Sequence, residues 1–446
     1  MQPQRGSDPR AERAPQRRGG RRQPARIVRL PVRARRPLPA PARMTILQAV
    51  RHLGPGVISG VSDLDPTSVA TLVIIGSTVG YSLLWLVLLL LPMLMTVQVV
   101  SARVGAVAHE GVGRLIHDRF GRWWALAAVL LVLSVNVLTI TADLEGGAAA
   151  LQLLTGVDWR WFILPMAGAV GVVLLFRSYD EVQGVLRIII LVFASYVVAA
   201  FLVRPDWASV LYHLVVPGFR WDPHYVAGAL ALLGTMLTSY VYLWETIEVQ
   251  EERQPLEYLW LVELDAAVGV VAAVILSVFV VITTAATLGA QGEIAQTAGD
   301  AARALVPLAG PFAGIIFAVG LLASALLAVP VLASTTAYLL ASTLRWRASL
   351  AVPEREARPF YLVLLGSLML GAALAYVGIE PFQILFLASI AGGIGTPLVL
   401  GLLILLARDA QVMGERRIGP RLAAMGWLTL SVVAVAGATY LIQQLL

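Results

Sequence analysis

Residues 54–80 read GPGVISGVSDLDPTSVATLVIIGSTVG, an apolar stretch long enough to cross a bilayer but interrupted at its middle by Asp63, Asp65 and Pro66. Pro66 has no backbone amide to donate and disfavours helix at Asp65, and Thr67 and Ser68 extend the polar cluster. A second stretch, VAGALALLGTMLTSYVYLWETIEVQEE at 226–252, carries a weaker interruption. Gly234, Thr235, Thr238 and Ser239 form its polar mid-section ahead of Tyr240, without a proline. Broken helices of this kind are tolerated in a membrane only where the irregular backbone lines a cavity or is buried in protein.

The rest of the chain agrees with a membrane setting. Of 446 residues, 58% are hydrophobic and 13% charged, and the mean hydropathy is +0.80. A water-soluble fold of ordinary make-up has nearer a quarter charged residues, so a soluble enzyme is excluded. With no Cys, disulfides, iron–sulfur clusters and thiolate metal ligands are excluded too. The five His show no HxxxH or HExxH spacing.

Eleven hydrophobic spans follow, at about 54–79, 82–108, 123–153, 159–177, 182–203, 226–250, 259–289, 311–343, 360–378, 382–407 and 422–444. Arginine sorts by side. The segments Arg103 to Arg122, Arg177 to Arg187, Arg253, Arg345 to Arg358 and Arg408 to Arg421 fall with the N-terminal tail, against Arg160, Arg204, Arg220 and Arg303 opposite. The positive-inside rule then predicts a multi-pass protein of the plasma (inner) membrane, with its N-terminus cytoplasmic and its C-terminus outside. Residues 1–43 hold thirteen Arg against one Asp and one Glu, while the remainder is mildly acidic. That tail reads either as a disordered basic cytoplasmic segment or as sequence upstream of an initiator at Met44. It has no aromatic residue for stacking on bases, and no nucleic-acid partner is expected.

The interrupted spans are the first and the sixth. If spans one to five (about 50–205) repeat as six to ten (about 224–408), with an extra helix at 422–444, an odd repeat length makes the second copy inverted. Interrupted spans at matching places in two inverted halves point to a transport site at mid-membrane. The alternative is a pair of kinked helices in a structural bundle. At such a site Asp65, the hydroxyls of Ser68 and Thr238, and carbonyls near Ser62 and Thr235 make an all-oxygen set suited to a hard divalent cation. Asp65 also reads as the N-cap of a second half-helix, which is compatible with ion binding. Asp63, about 200° round a helix from Asp65, reads as a pathway residue or a solvated one.

Span three carries Asn136, Asp143 and Glu145. Asn136 and Asp143 share a face, and Asp143 reads as a pathway or proton site, or else as a packing residue beside Gly146 and Gly147. Glu245 and Glu248 lie on one face of span six and lead toward Glu251 and Glu252, as a cation-attracting exit or as a solvated interface. Pro330 and the small residues of span eight read as close helix packing. Gln383 and the Gly392–Gly393 pair of span ten are expected to approach the site.

At these residues the chain resembles the Nramp superfamily of divalent-metal transporters, and most closely its Nramp-related magnesium transporter branch. The resemblance covers nearly all of 50–446. It is carried by GPGVISGVSDLDPTSVAT, TADLEGGAAALQLLTG, GTMLTSYVYLWETIEVQEE, FAVGLLASALLAVPVLASTTAY, and MGERRIGP followed by GWLTL. It implies an all-α polytopic protein with a LeuT-like inverted five-plus-five repeat, broken in helices 1 and 6. In the manganese and iron branch the first break is similar to DPGN, whose Asp matches Asp65 and whose metal-binding Asn matches Ser68. Its sixth span has an MPH motif, whose Met aligns with Thr238, Pro with Ser239 and His with Tyr240. The family's carbonyl ligands correspond to Ser62 and Thr235.

Loss of the thioether at Thr238 removes a preference for soft transition metals. Loss of the His, and the lack of a basic residue inside span nine, remove parts of the family's proton path. The span-three Asp of that path matches Asp143, and its following Glu falls on Gly146. The resemblance therefore implies transport of Mg²⁺, and of Mn²⁺ as well, by alternating access without obligatory proton coupling. The divalent ion is substrate; no cofactor and no obligate protein partner is expected. The alternatives are a proton-coupled Mn²⁺ transporter of the same family, an ion-coupled organic-solute transporter on the same fold, and a sensor. An enzyme is not expected, since no GxSxG or HExxH motif is present.

Overall fold

The computed structural model describes residues 64–108, 110–176, 183–252, 256–350 and 352–445. Every described regular element is a helix. The described parts of the eleven predicted spans coincide with helices at Pro66–Val79, Leu84–Ala108, Arg122–Thr155, Arg160–Phe176, Gln183–Val203, Pro223–Met236 with Ser239–Glu252, Leu259–Thr287, Ala313–Thr343, Arg358–Leu374, Pro381–Arg408 and Pro420–Leu445, and the first half of span one lies outside the described residues. Eight described stretches are long and apolar enough to cross a membrane by length and composition. Span four and the C-terminal part of span five, Val192–Val203, are shorter apolar helices. Short helices connect them, among them Val112–Phe120 before span three and Trp207–Val215 after span five.

Local chemistry places the breaks. Asp65 is extended (φ −71°, ψ 171°) and caps the helix that starts at Pro66, its carboxylate accepting from the Ser68 amide. Proline suits that first position because its missing N–H would be unpaired there in any case. The same Asp-Pro device starts span six, where Asp222 accepts from His224 and Tyr225 ahead of Pro223. Span six then stops at Met236 and resumes at Ser239, so the second break falls at Leu237 and Thr238 without any proline.

The packing repeats with the span numbers shifted by five. Span three packs most extensively against span eight, its own counterpart, and span two against span seven. The second half of span one packs on span seven as the second half of span six packs on span two. Spans three and ten meet as spans eight and five do. Such pairing is what two inverted five-helix repeats produce, and the fold is the all-helical LeuT-like one with helices 1 and 6 broken.

Lipid tails are as apolar as leucine, so these helices associate through close packing and polar contacts rather than through the hydrophobic effect. Glycine permits the closest approaches. A Cβ on Gly105 of span two would stand 2.5 Å from the Thr246 carbonyl oxygen in the lower half of span six. The lipid-side faces stay apolar and exposed, as at Leu362 and Leu370 of span nine. Trp123, Trp124, Trp161 and Trp221 are exposed near span ends, where aromatic rings sit in a bilayer.

Candidate metal-ion site

Asp65 is 1% exposed, and both of its carboxylate oxygens accept hydrogen bonds. Oδ1 takes the Ser68 amide at 2.7 Å, the cap bond. Oδ2 takes the Tyr240 hydroxyl at 2.7 Å, from the first turn after the break in span six. Ser68 and Thr235 join hydroxyl to hydroxyl at 2.8 Å. The two breaks therefore meet, and the side chains they bring together are Asp65, Ser68, Thr235 and Tyr240. Thr238 is also buried and lies at the break itself, beside Gly392 of span ten. Ser62 and Asp63 lie outside the described residues.

Unwinding a helix exposes carbonyls that must find partners in a membrane. Neighbouring spans supply them. Ser324 of span eight donates to the Leu64 carbonyl at 2.6 Å, and Thr396 of span ten donates to the Leu237 carbonyl at 2.8 Å. Thr71 and Ser389 add a hydroxyl pair at 2.7 Å between spans one and ten. These three supports were not singled out from sequence. A lone Ser or Thr in an apolar helix commonly bonds its own backbone four residues back, as Thr396 and Ser389 do here too, and only the fold shows which ones also reach a neighbouring span.

Asp143 of span three is fully buried and lies beside the site. The Thr67 hydroxyl donates to its Oδ1 at 2.7 Å, and its Oδ2 has no hydrogen-bond partner among the described residues. Glu145 is buried with Oε2 likewise unpartnered, and lies within electrostatic reach of Glu380 and Arg160. Asn136 belongs to packing with span eight, where it donates to Thr336 at 2.9 Å and to the Leu332 carbonyl at 3.4 Å. Glu245 is buried and Glu248 half-buried along the lower half of span six, which continues to Glu251 and its bond from Tyr338. Gln383 does not approach the site. It is exposed in the first turn of span ten, nine residues (about 13 Å) from the Gly392 position that reaches the break.

The donors are oxygens only. Among the described residues no three His, Cys, Asp or Glu side chains converge to hold a metal. A cation at this crossing would be met by one carboxylate, several hydroxyls and unwound carbonyls, a hard set that suits partly hydrated divalent ions. The Tyr240 hydroxyl takes one lone-pair direction of Oδ2, and the Ser68–Thr235 bond holds those two hydroxyls against each other, so a cation would compete with both contacts.

Comparison with known proteins agrees with a metal-transporting membrane protein of this fold. The family model described as natural resistance-associated macrophage protein-like (Nramp) matches residues 56–443. A protein of Deinococcus radiodurans named divalent metal cation transporter MntH is 29% identical over 88% of this chain and 90% of its own length. A protein of the same name from Mycobacterium tuberculosis is 27% identical over 86% and 89%. In structure, a manganese transporter of Eremococcus coleocola is similar with a TM-score of 0.68 at 17% identity, covering 88% of this chain and 86% of that one. A Na⁺-coupled sialic acid symporter is similar at 0.54 and 14% identity, covering 89% and 92%. One fold thus carries different substrates, and the site has to choose among them.

Proposed function

Because the chain belongs to the Nramp family, we propose that it transports divalent metal cations across the membrane by alternating access, with Mg²⁺ and Mn²⁺ as substrates and no obligatory proton coupling. The observation that carries the reading is the buried Asp65 carboxylate at the meeting of two helix breaks, surrounded by oxygen donors alone. Where the family's thioether would stand there is Thr238. Mg²⁺ demands oxygen ligands and sheds its water reluctantly, and hydroxyls or carbonyls can bond to its retained waters. Tyr240, at the position of the family's His, offers a phenol, which does not exchange its proton near neutral pH as an imidazole can.

One observation favours a second reading, proton-coupled Mn²⁺ transport. Asp143 is a buried carboxylate one hydroxyl away from the Asp65 cap, which is where a proton could reside while the ion crosses. The relatives named as divalent metal cation transporters support a divalent substrate under either reading. The test is uptake into proteoliposomes holding a Mg²⁺-sensitive dye, with Mn²⁺ and Ca²⁺ as competitors and a pH dye in parallel. Mg²⁺ uptake without lumen acidification is the expected result. Mn²⁺ uptake with acidification and no Mg²⁺ uptake would replace it with the second reading, and no divalent flux in folded protein would overturn both.

Two substitutions probe the donors. Thr238→Met restores a sulfur, and is expected to move the Mn²⁺ to Mg²⁺ preference about tenfold toward Mn²⁺. Competition of each ion against the other reads it out, and an unchanged ratio would remove Thr238 from the donor set. Tyr240→Phe deletes the hydroxyl that competes for Asp65 Oδ2. A hydrogen bond to a charged group contributes roughly 1.5–3 kcal/mol, so apparent ion affinity is expected to rise by about tenfold or more. A fall in affinity would instead make the Tyr240 oxygen a ligand.

A further inference from the structure

A cleft of about 390 Å³ opens where the arginine-rich ends of spans three and eight meet, and none of its lining residues belongs to the ion site. Leu126, Val129, Leu340 and Leu344 form its apolar walls, and Arg122 and His117 stand on its rim. Gly121, with φ +92°, turns the chain from the surface helix Val112–Phe120 into span three and so places Arg122 at the span's first residue.

Charge separates Arg122 from its neighbours. Arg119 is bonded to Asp409 at 2.7 Å, Arg345 to Asp118 at 2.7 Å, and Arg114 to Glu110 at 3.3 Å. Asp118 is further occupied by His117 Nδ1 at 3.0 Å. Arg122 pairs with no carboxylate among the described residues, and its guanidinium lies 4.6 Å over the ring of the exposed Trp123. Trp123 and Trp124 mark the headgroup level, so the rim lies among headgroups and the walls run toward hydrocarbon.

We propose that this cleft binds one anionic glycerophospholipid, with its phosphate on Arg122 and an acyl chain along Leu126, Val129 and Leu340. Basic pockets between spans on the cytoplasmic side are suited to such headgroups. The occupant follows from charge complementarity. The chain's own residues 1–43, with thirteen Arg against two acids, would bring like charge to an unpaired arginine. Free phosphate would leave the apolar walls unused. A zwitterionic lipid would bring its cation to the same rim.

The experiment uses the full chain, purified and delipidated in detergent, and titrates it with phosphatidylglycerol, phosphatidylcholine and inorganic phosphate. Binding is followed by native mass spectrometry and by the rise in melting temperature. Saturable binding of phosphatidylglycerol in preference to phosphatidylcholine, undisturbed by inorganic phosphate, is expected. Arg122→Gln is expected to weaken phosphatidylglycerol about fivefold, which is one arginine's share of attraction to an anionic headgroup. Leu126→Trp, which fills the cleft, is expected to weaken both lipids. The melting temperatures without lipid show that each variant is folded. Equal lipid retention in all three proteins, equal binding of the two lipids, or displacement by inorganic phosphate would each overturn the proposal.

Discussion

Asp65→Asn is expected to leave the protein folded and to bring divalent uptake down to that of empty liposomes. Asn caps a helix about as well as Asp, and its Oδ1 still accepts the Ser68 amide. What it loses is the formal charge. A dehydrating divalent cation in a membrane interior needs a negative partner, and removing one member of a buried ion pair costs about 3–5 kcal/mol. That corresponds to at least a hundredfold loss in ion binding. Asp65→Ala is expected to lose transport as well, and to melt lower by about 0.5–2 kcal/mol, because it also loses the cap. The pair separates the structural from the functional part of one side chain. Uptake by Asp65→Asn at the wild-type rate would show that the carboxylate is a cap and nothing more.

The positions of the helices and the helix start at the first break were legible in the sequence because each depends on local composition. Pro66 after Asp65 states a helix start in two residues. The second break had no proline, yet Gly234, Thr235, Thr238 and Ser239 marked it, and span six does stop at Met236. The site was legible only in part. Thr67 and Asp143 are 76 residues apart, Leu64 and Ser324 are 260 apart, and Thr71 and Ser389 are 318 apart. No periodicity within one helix records such contacts. Gln383 shows the reverse difficulty. It stood out as a rare polar residue in an apolar span, but its height along the helix puts it in the wrong layer, while Gly392 and Gly393, expected beside it, do reach the break.

Gly234→Ala is expected to be among the most damaging single-methyl additions in the protein. A Cβ at Gly234 would stand 2.0 Å from the Ser389 carbonyl oxygen and 2.3 Å from the Gly393 amide nitrogen. Both are backbone atoms of span ten and cannot swing aside. The approach is reciprocal, since a Cβ on Gly392 would meet the Gly234 carbonyl oxygen at 2.9 Å. Separating the two helices would also pull on Thr396, which holds the Leu237 carbonyl at the break, and on Ser389, which holds Thr71 of span one. Overpacking in a close-packed interior costs about 1–3 kcal/mol, and here the strain falls on the junction that positions the ion site. The expected result is a lower melting temperature in detergent, with transport reduced further than the loss of folded protein explains. Gly366→Ala in span nine is the control: a Cβ there meets nothing within 4 Å, and stability is expected to hold or to rise by up to about 1 kcal/mol from helix propensity. If the two variants melt alike, spans six and ten do not pack backbone to backbone. The support of the second break by span ten would then have to be abandoned.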